Sequence, residues 1–306
     1  MTERNDASRV SRPSRPRLRT AAFALPLLVL MALLTGARCY PPGTRVVIFM
    51  QGIYTSYDVT GTQPNGIEPH RFDTLKAAFV ARGYEASSLL DFSYAGGTVD
   101  AAGGWRPAPY ECALTDRTPA DNLVPLEQML ADLRKKKPGA HFTLVGHSLG
   151  GYLAFLEGAR EAARPEADML GIDVVVTLDA PIKGISPDKK MIIDLLACDK
   201  TYLAGADIVA AKLDPATPDI RRDQSARLAA QGIRLATLGN TFDCLYNTGH
   251  CVPGGPFVDD GDTQFLSGQA SVSLTYYIES PAFLSHDAIV ADPAAVRDAV
   301  AFVGAP

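Results

Sequence analysis

The sequence predicts an α/β protein: a mostly parallel central sheet, helices on both faces and a helical cap or lid insert. Three observations carry this. Short β-favouring apolar runs recur along the chain, segments with helical spacing separate them, and one glycine-flanked serine falls between a run and a helix. Strands alternating with helices imply parallel pairing, and a parallel strand buried on both faces reads as a continuous apolar run.

In order, residues 45–50 form the first such run, Arg45-Val46-Val47-Ile48-Phe49-Met50, after the punctuation Pro41-Pro42-Gly43. Residues 72–82 carry apolar side chains at helical spacing, and residues 87–94 make the next strand. Residues 95–119 are rich in Gly, Pro and polar residues and read as a long loop over the sheet edge. Residues 122–136 are an amphipathic helix with Leu123, Leu126, Met129, Leu130 and Leu133 on one face and Pro138-Gly139 as its stop. Residues 142–145 are strand-like, residues 152–163 helical, and residues 173–178 a buried strand. The interval 181–231 exceeds what one crossover needs, so it reads as a cap or lid, with helical candidates at 189–196 and 202–213. Strands at 233–238 and 271–278 and a helix at 292–303 complete the chain.

The N-terminus stands apart. Residues 1–20 hold six arginines, residues 21–34 are apolar apart from Pro26, and Thr35-Gly36-Ala37 offers a small-residue cleavage site. This is the pattern of a secretory signal over residues 1–37, leaving residues 38–306 as one domain; the apolar run is short of the ~20 residues of a membrane span. An uncleaved membrane anchor is the alternative, so the location expected is secreted or cell-envelope. Export permits disulfides among Cys39, Cys112, Cys198, Cys244 and Cys251. The closest pair is Cys244 with Cys251, then Cys112 with Cys198, which leaves Cys39 odd. Spacing does not fix the pairing. A net charge of −5 offers no basic excess, so no nucleic-acid partner is expected. His250-Cys251 is the one adjacent His/Cys couple and nothing completes a tetrahedral set, so no metal is expected.

The chemistry rests on Gly146-His147-Ser148-Leu149-Gly150-Gly151. A serine hydroxyl is a weak nucleophile and needs a fixed, exposed position with a base beside it. Gly-x-Ser-x-Gly at a sharp strand-to-helix turn supplies that position, and in such chains the acid and then the histidine follow in sequence. His286, in Ser285-His286-Asp287 after the last strand, is the base expected; His250 is a loop histidine. Two carboxylates compete for the acid. Asp243 follows the strand at 233–238 and is preferred; Asp179, in Leu178-Asp179-Ala180-Pro181, ends the strand before it. An oxyanion would be held by the main-chain amides of Leu149 and of Ile53, the latter after Met50-Gln51-Gly52.

These segments, spanning roughly residues 45–303, resemble the bacterial lipase and esterase branch of the α/β-hydrolase family. That family usually carries His-Gly at the oxyanion loop, where this chain has Gln51-Gly52. In it the Leu-Asp-x-Pro segment usually looks structural and the acid comes one strand later, which favours Asp243. The resemblance implies hydrolysis of small-molecule or lipid esters through an acyl-enzyme on Ser148, without a cofactor. It also implies a cap able to touch a lipid interface. Thioesterase, amidase or acyltransferase activity would use the same residues, and a non-catalytic binding module is the reading furthest from these.

Overall fold

The first strand, β1 (Arg45–Met50), shows how the layers form. Side chains alternate across a strand. Here Val46, Ile48 and Met50 enter one buried cluster, while Val47 and Phe49 enter another. A strand that is apolar on both faces therefore needs a cover on each. The computed structural model describes residues 44–53, 55, 71–187, 203–240, 242–243, 252–253, 266, 272–276, 278 and 285–306. The chain divides into two units, Met1–Cys39 and Tyr40–Pro306, and all the described residues belong to the second.

After β1 come helix α1 (Asp73–Ala81), β2 (Leu89–Asp91), an antiparallel pair β3 (Gly97–Val99) and β4 (Trp105–Pro107), and α2 (Pro119–Lys136). Then follow β5 (His141–His147), α3 (Leu149–Glu161), β6 (Ile172–Leu178), α4 (Leu203–Leu213), α5 (Thr217–Ala230) and β7 (Arg234–Asn240). A two-stranded antiparallel pair β8 (Phe242–Asp243) and β9 (Val252–Pro253), β10 (Val272–Tyr276), the short α6 (Ser285–Ala288) and α7 (Pro293–Val303) complete the described part. The central sheet has six strands in the order β10-β7-β6-β5-β1-β2, and every neighbouring pair is parallel. Helices α2, α3 and α5 bury Leu130, Phe155 and Leu228 on one face; α1 and α7 bury Phe79 and Val300 on the other. This is the α/β-hydrolase fold.

Local chemistry explains where elements depart from the sequence reading. Helix α2 starts three residues early because Thr118 caps it, its hydroxyl accepting from the Asp121 amide at 3.1 Å, with Pro119 in the first turn. The interval 95–119 is not plain loop: β3 and β4 form a hairpin in it, tied to the sheet by Trp105 Nε1 donating to the Asp91 carbonyl at 2.9 Å. Within the interval read as a lid, α5 packs as the crossover helix between β6 and β7. Its Arg221 donates to the Tyr152 hydroxyl of α3 at 2.8 Å and to the Ile182 carbonyl at 3.1 Å. Residues 188–202, with the helix expected at 189–196, lie outside the described residues, as do the signal segment and the cysteines other than Cys112. No described helix is long and apolar enough to cross a membrane.

Strand order fixes where a ligand crevice forms. From β1 the chain runs outward to β2, then returns past β1 to β5 on its other side. Strand order reverses between β1 and β5, and open α/β sheets bind ligands beyond the carboxyl ends at such a point.

Candidate active site

The carboxyl ends of β1 and β5 lie side by side, because Met50 is paired with Gly146. Ser148 follows β5 directly and occupies the left-handed region with φ 54° and ψ −124°. Among the described residues only Ser148 and Asp179 (φ 48°) have positive φ without being glycine. Such conformations cost of order 1–3 kcal/mol each and gather at functional sites. The turn is tight enough that a Cβ on Gly146 would strike the main chain of Gly150. Leu149 opens α3, so its N–H is among the four that a helix leaves unpaired at its start.

Beyond β1, Gly52 faces the serine: a Cβ there would lie 2.9 Å from Ser148 Cβ and 3.4 Å from its Oγ. Two hydroxyls pin this loop. Tyr94 donates to the Gln51 carbonyl at 2.7 Å, and Thr55 Oγ1 to the Gly52 carbonyl at 2.8 Å. Thr55 is in turn bonded to the Tyr110 hydroxyl at 2.9 Å. In a trans peptide the N–H points opposite to the C=O. Holding Gly52 O therefore also sets the direction of the Ile53 N–H.

His286 Nδ1 lies 2.7 Å from Asp179 Oδ2. The ring has a single hydrogen to give at Nδ1, and Asp179 takes it. The other oxygen, Oδ1, accepts from the Asn240 amide at 3.0 Å, and Asn240 Oδ1 accepts from the Ile278 amide at 3.2 Å. The carboxylate is 3% exposed and held rigidly at the end of β6, the strand beside that of Ser148. The carboxylate described against His286 is thus that of Asp179, the alternative to the preferred Asp243. After Asn240 the chain leaves the main sheet, and Asp243 pairs instead with Val252 in the separate β8–β9 ribbon. Of Asp243 only the backbone is described, and His250 lies outside the described residues.

Sequence reasoning missed three participants. His147 is fully buried and its ring lies against that of His286, with centroids 4.6 Å apart and the planes tilted by 45°. Its Nε2 lies 2.9 Å from the His286 carbonyl, which only accepts, so Nε2 carries the hydrogen. Its Nδ1 then accepts from Arg71 at 3.2 Å. Burial first, then the neighbouring His286 and Arg71, push the His147 pKa well below the ordinary 6.5, so the ring is neutral. Arg71 also donates to Asp287 Oδ1 at 2.6 Å. His147 and Asp287 sit next to recognised residues, which is the one signal a sequence offers for them; Arg71 has none. His147, His286 and Asp287 bring potential ligand atoms within 4.8 Å of one another. Arg71 lies among them and both nitrogens of His147 are engaged, so hydrogen bonding accounts for the cluster.

No family model and no curated protein matches the chain. Solved structures do. The product of the lin2722 gene from Listeria innocua is 14% identical, with 85% of this chain and 94% of that one covered, at a TM-score of 0.51. That likeness is one of fold. A lipase-esterase related protein from Clostridium acetobutylicum is 12% identical over 85% of this chain and 95% of its own, at a TM-score of 0.49. Est1E from Butyrivibrio proteoclasticus is 14% identical over 86% and 90%, at 0.47.

Proposed function

We propose that the chain is a serine hydrolase that cleaves carboxylic esters through an acyl-enzyme on Ser148. The observation that carries this is the 2.7 Å contact of Asp179 Oδ2 with His286 Nδ1, beside a strained serine in the same fold. In the reaction His286 Nε2 takes the Ser148 hydroxyl proton as Oγ bonds to the acyl carbon. The negative oxygen that results is held by the amides of Leu149 and Ile53. His286 returns its proton to the departing alkoxide as the ester C–O bond breaks, leaving the acyl group on Ser148. A water, deprotonated by the same imidazole, then attacks the acyl carbon, and the serine leaves with the proton restored. Asp179 keeps the imidazole in the Nδ1–H tautomer and stabilises its cation. No cofactor enters these steps.

Substrates are small-molecule or lipid esters. Exposed Leu213 on the loop side of α4 and exposed Ile220 on α5 give this region apolar surface suited to a lipid interface. Export is part of the reading: it rests on the basic and apolar N-terminal segment and on Cys112, a disulfide-bonded cysteine. A fluorophosphonate probe tests the reaction. The expected adduct is on Ser148 alone; labelling elsewhere, or none in folded protein, removes the proposal.

A further inference from the structure

The base of the reaction stands on little of its own. His286 belongs to a helix of four residues, Ser285–Ala288, so its place must come from contacts outside that helix. Asp179 fixes one edge of the ring. Further contacts reach this segment from His147, on His286 itself, and from Arg71, on Asp287, and the hydrolytic steps use neither residue.

We propose that His147, Arg71 and Asp287 are positioning residues that hold His286 by its main chain and by contact with its ring. This rests on the esterase reading above. His147 grips His286 twice, through its Nε2–H on the carbonyl at 2.9 Å and through a tilted ring contact at 4.6 Å. The bond locates the backbone and the ring contact limits how far the imidazole can swing, while Asp179 holds its Nδ1 edge. A merely satisfied core histidine would need any two partners; this one spends both on the base and on its clamp.

Arg71 is the lock. A guanidinium only donates, so the nitrogen it meets must be bare. With Arg71 at Nδ1, His147 is confined to the Nε2–H tautomer, the form that can donate to the His286 carbonyl. A proton on Nδ1 would set two donors against each other at 3.2 Å. Asp287 holds Arg71 at 2.6 Å and is the residue after the base, so the clamp closes on the segment it positions. Among the described residues, the charged and titratable groups facing His147 are Arg71, Asp287 and His286, with Asp287 Oδ1 3.8 Å from its Nε2.

The test begins with the fluorophosphonate adduct of the wild-type chain. If Ser148 is not labelled, the hydrolase reading and this one both fall. If it is labelled, kinetics on a p-nitrophenyl ester decide the second alone. His147→Leu, which offers neither the ring nor the donor, is expected to lower kcat about 10²-fold, the scale of a misplacement near 1 Å, with little change in KM. His147→Gln carries a donor at the place of Nε2 and should recover most of that loss. Wild-type kcat in His147→Leu, or a glutamine variant as slow as the leucine one, overturns the proposal. Because His147 is buried, a measurement on the unaltered protein stands beside these. Nitrogen-15 spectra of the histidine rings should show His147 with hydrogen on Nε2, bare Nδ1, and no titration across the acid limb of activity. An Nδ1–H tautomer, or titration with that limb, overturns it equally.

Discussion

Gly52 and Ser148 are in contact across the ends of two neighbouring strands, with room for a hydrogen on the glycine and for nothing larger. A methyl group would press on the serine Cβ at 2.9 Å and reach its Oγ and His147 Nδ1 at 3.4 Å. Gly52→Ala should therefore fold and lose about 10²-fold or more in kcat, since a displacement near 1 Å at the reacting atoms costs about that much. Steady-state kinetics alongside circular dichroism check it; unchanged kcat would mean that the serine is not the reacting group.

The acid separates by substitution. Asp179→Asn keeps the shape of the carboxylate but leaves His286 Nδ1 facing an amide, and a change of this kind in a catalytic triad costs about 10⁴-fold in kcat. Asp243→Asn, in the β8–β9 ribbon, is expected to leave kcat near that of the wild type. The reverse pattern would restore the sequence-based preference.

How much could be read from the chain follows from where each signal resides. The buried strands announce themselves as apolar runs, because strands covered on both faces have no polar side to show. Ser148 is legible because its turn demands glycine at Gly146 within five residues. The choice between Asp179 and Asp243 was not legible. Both follow strands, and what sets Asp179 against His286 is a contact across 107 residues. Adjacency is set by non-local pairing, which no local pattern records. Arg71 is the extreme case, an arginine in a turn whose partners Asp287 and His147 lie 216 and 76 residues away.

Stability should fall as pH rises through neutrality, on account of Glu157. This residue of α3 is fully buried, and burial, only partly offset by Arg164 at 2.8 Å, pushes its pKa from 4.5 up to about 7. Among the described residues its Oε2 meets no hydrogen-bond partner, so no donor there stabilises a negative charge. Between those two values the folded state binds more protons than the unfolded one, so stability declines with rising pH and levels off above the upper value. The full effect is on the order of 3 kcal/mol. Denaturation at pH 5 and pH 8 should show the decline in wild type and much less of it in Glu157→Gln. Equal slopes in both proteins would locate the effect elsewhere.

Arg221 joins the crossover helix to α3. It donates to the Tyr152 hydroxyl and the Ile182 carbonyl, and its guanidinium lies 5.4 and 5.9 Å from the ring centres of Tyr152 and Phe155. Arg221→Met strands two buried acceptors and should cost about 2–6 kcal/mol, each lost partner being worth roughly 1–3. Urea unfolding measures it. A loss below about 0.5 kcal/mol, the size of an ordinary surface change, would show that α5 is held by other contacts.

The bond between Asp179 and His286 spans 107 residues, and Ser148 lies on the far side of Asp179 in sequence. A chain cut between Ser148 and α6 keeps the serine and lacks His286. All-parallel sheets order late because their pairings are distant in sequence and their loops are entropically costly to close. On the proposed reaction, turnover would report the closing of this last contact, and a chain that has paired only its earlier strands would stay silent in the assay.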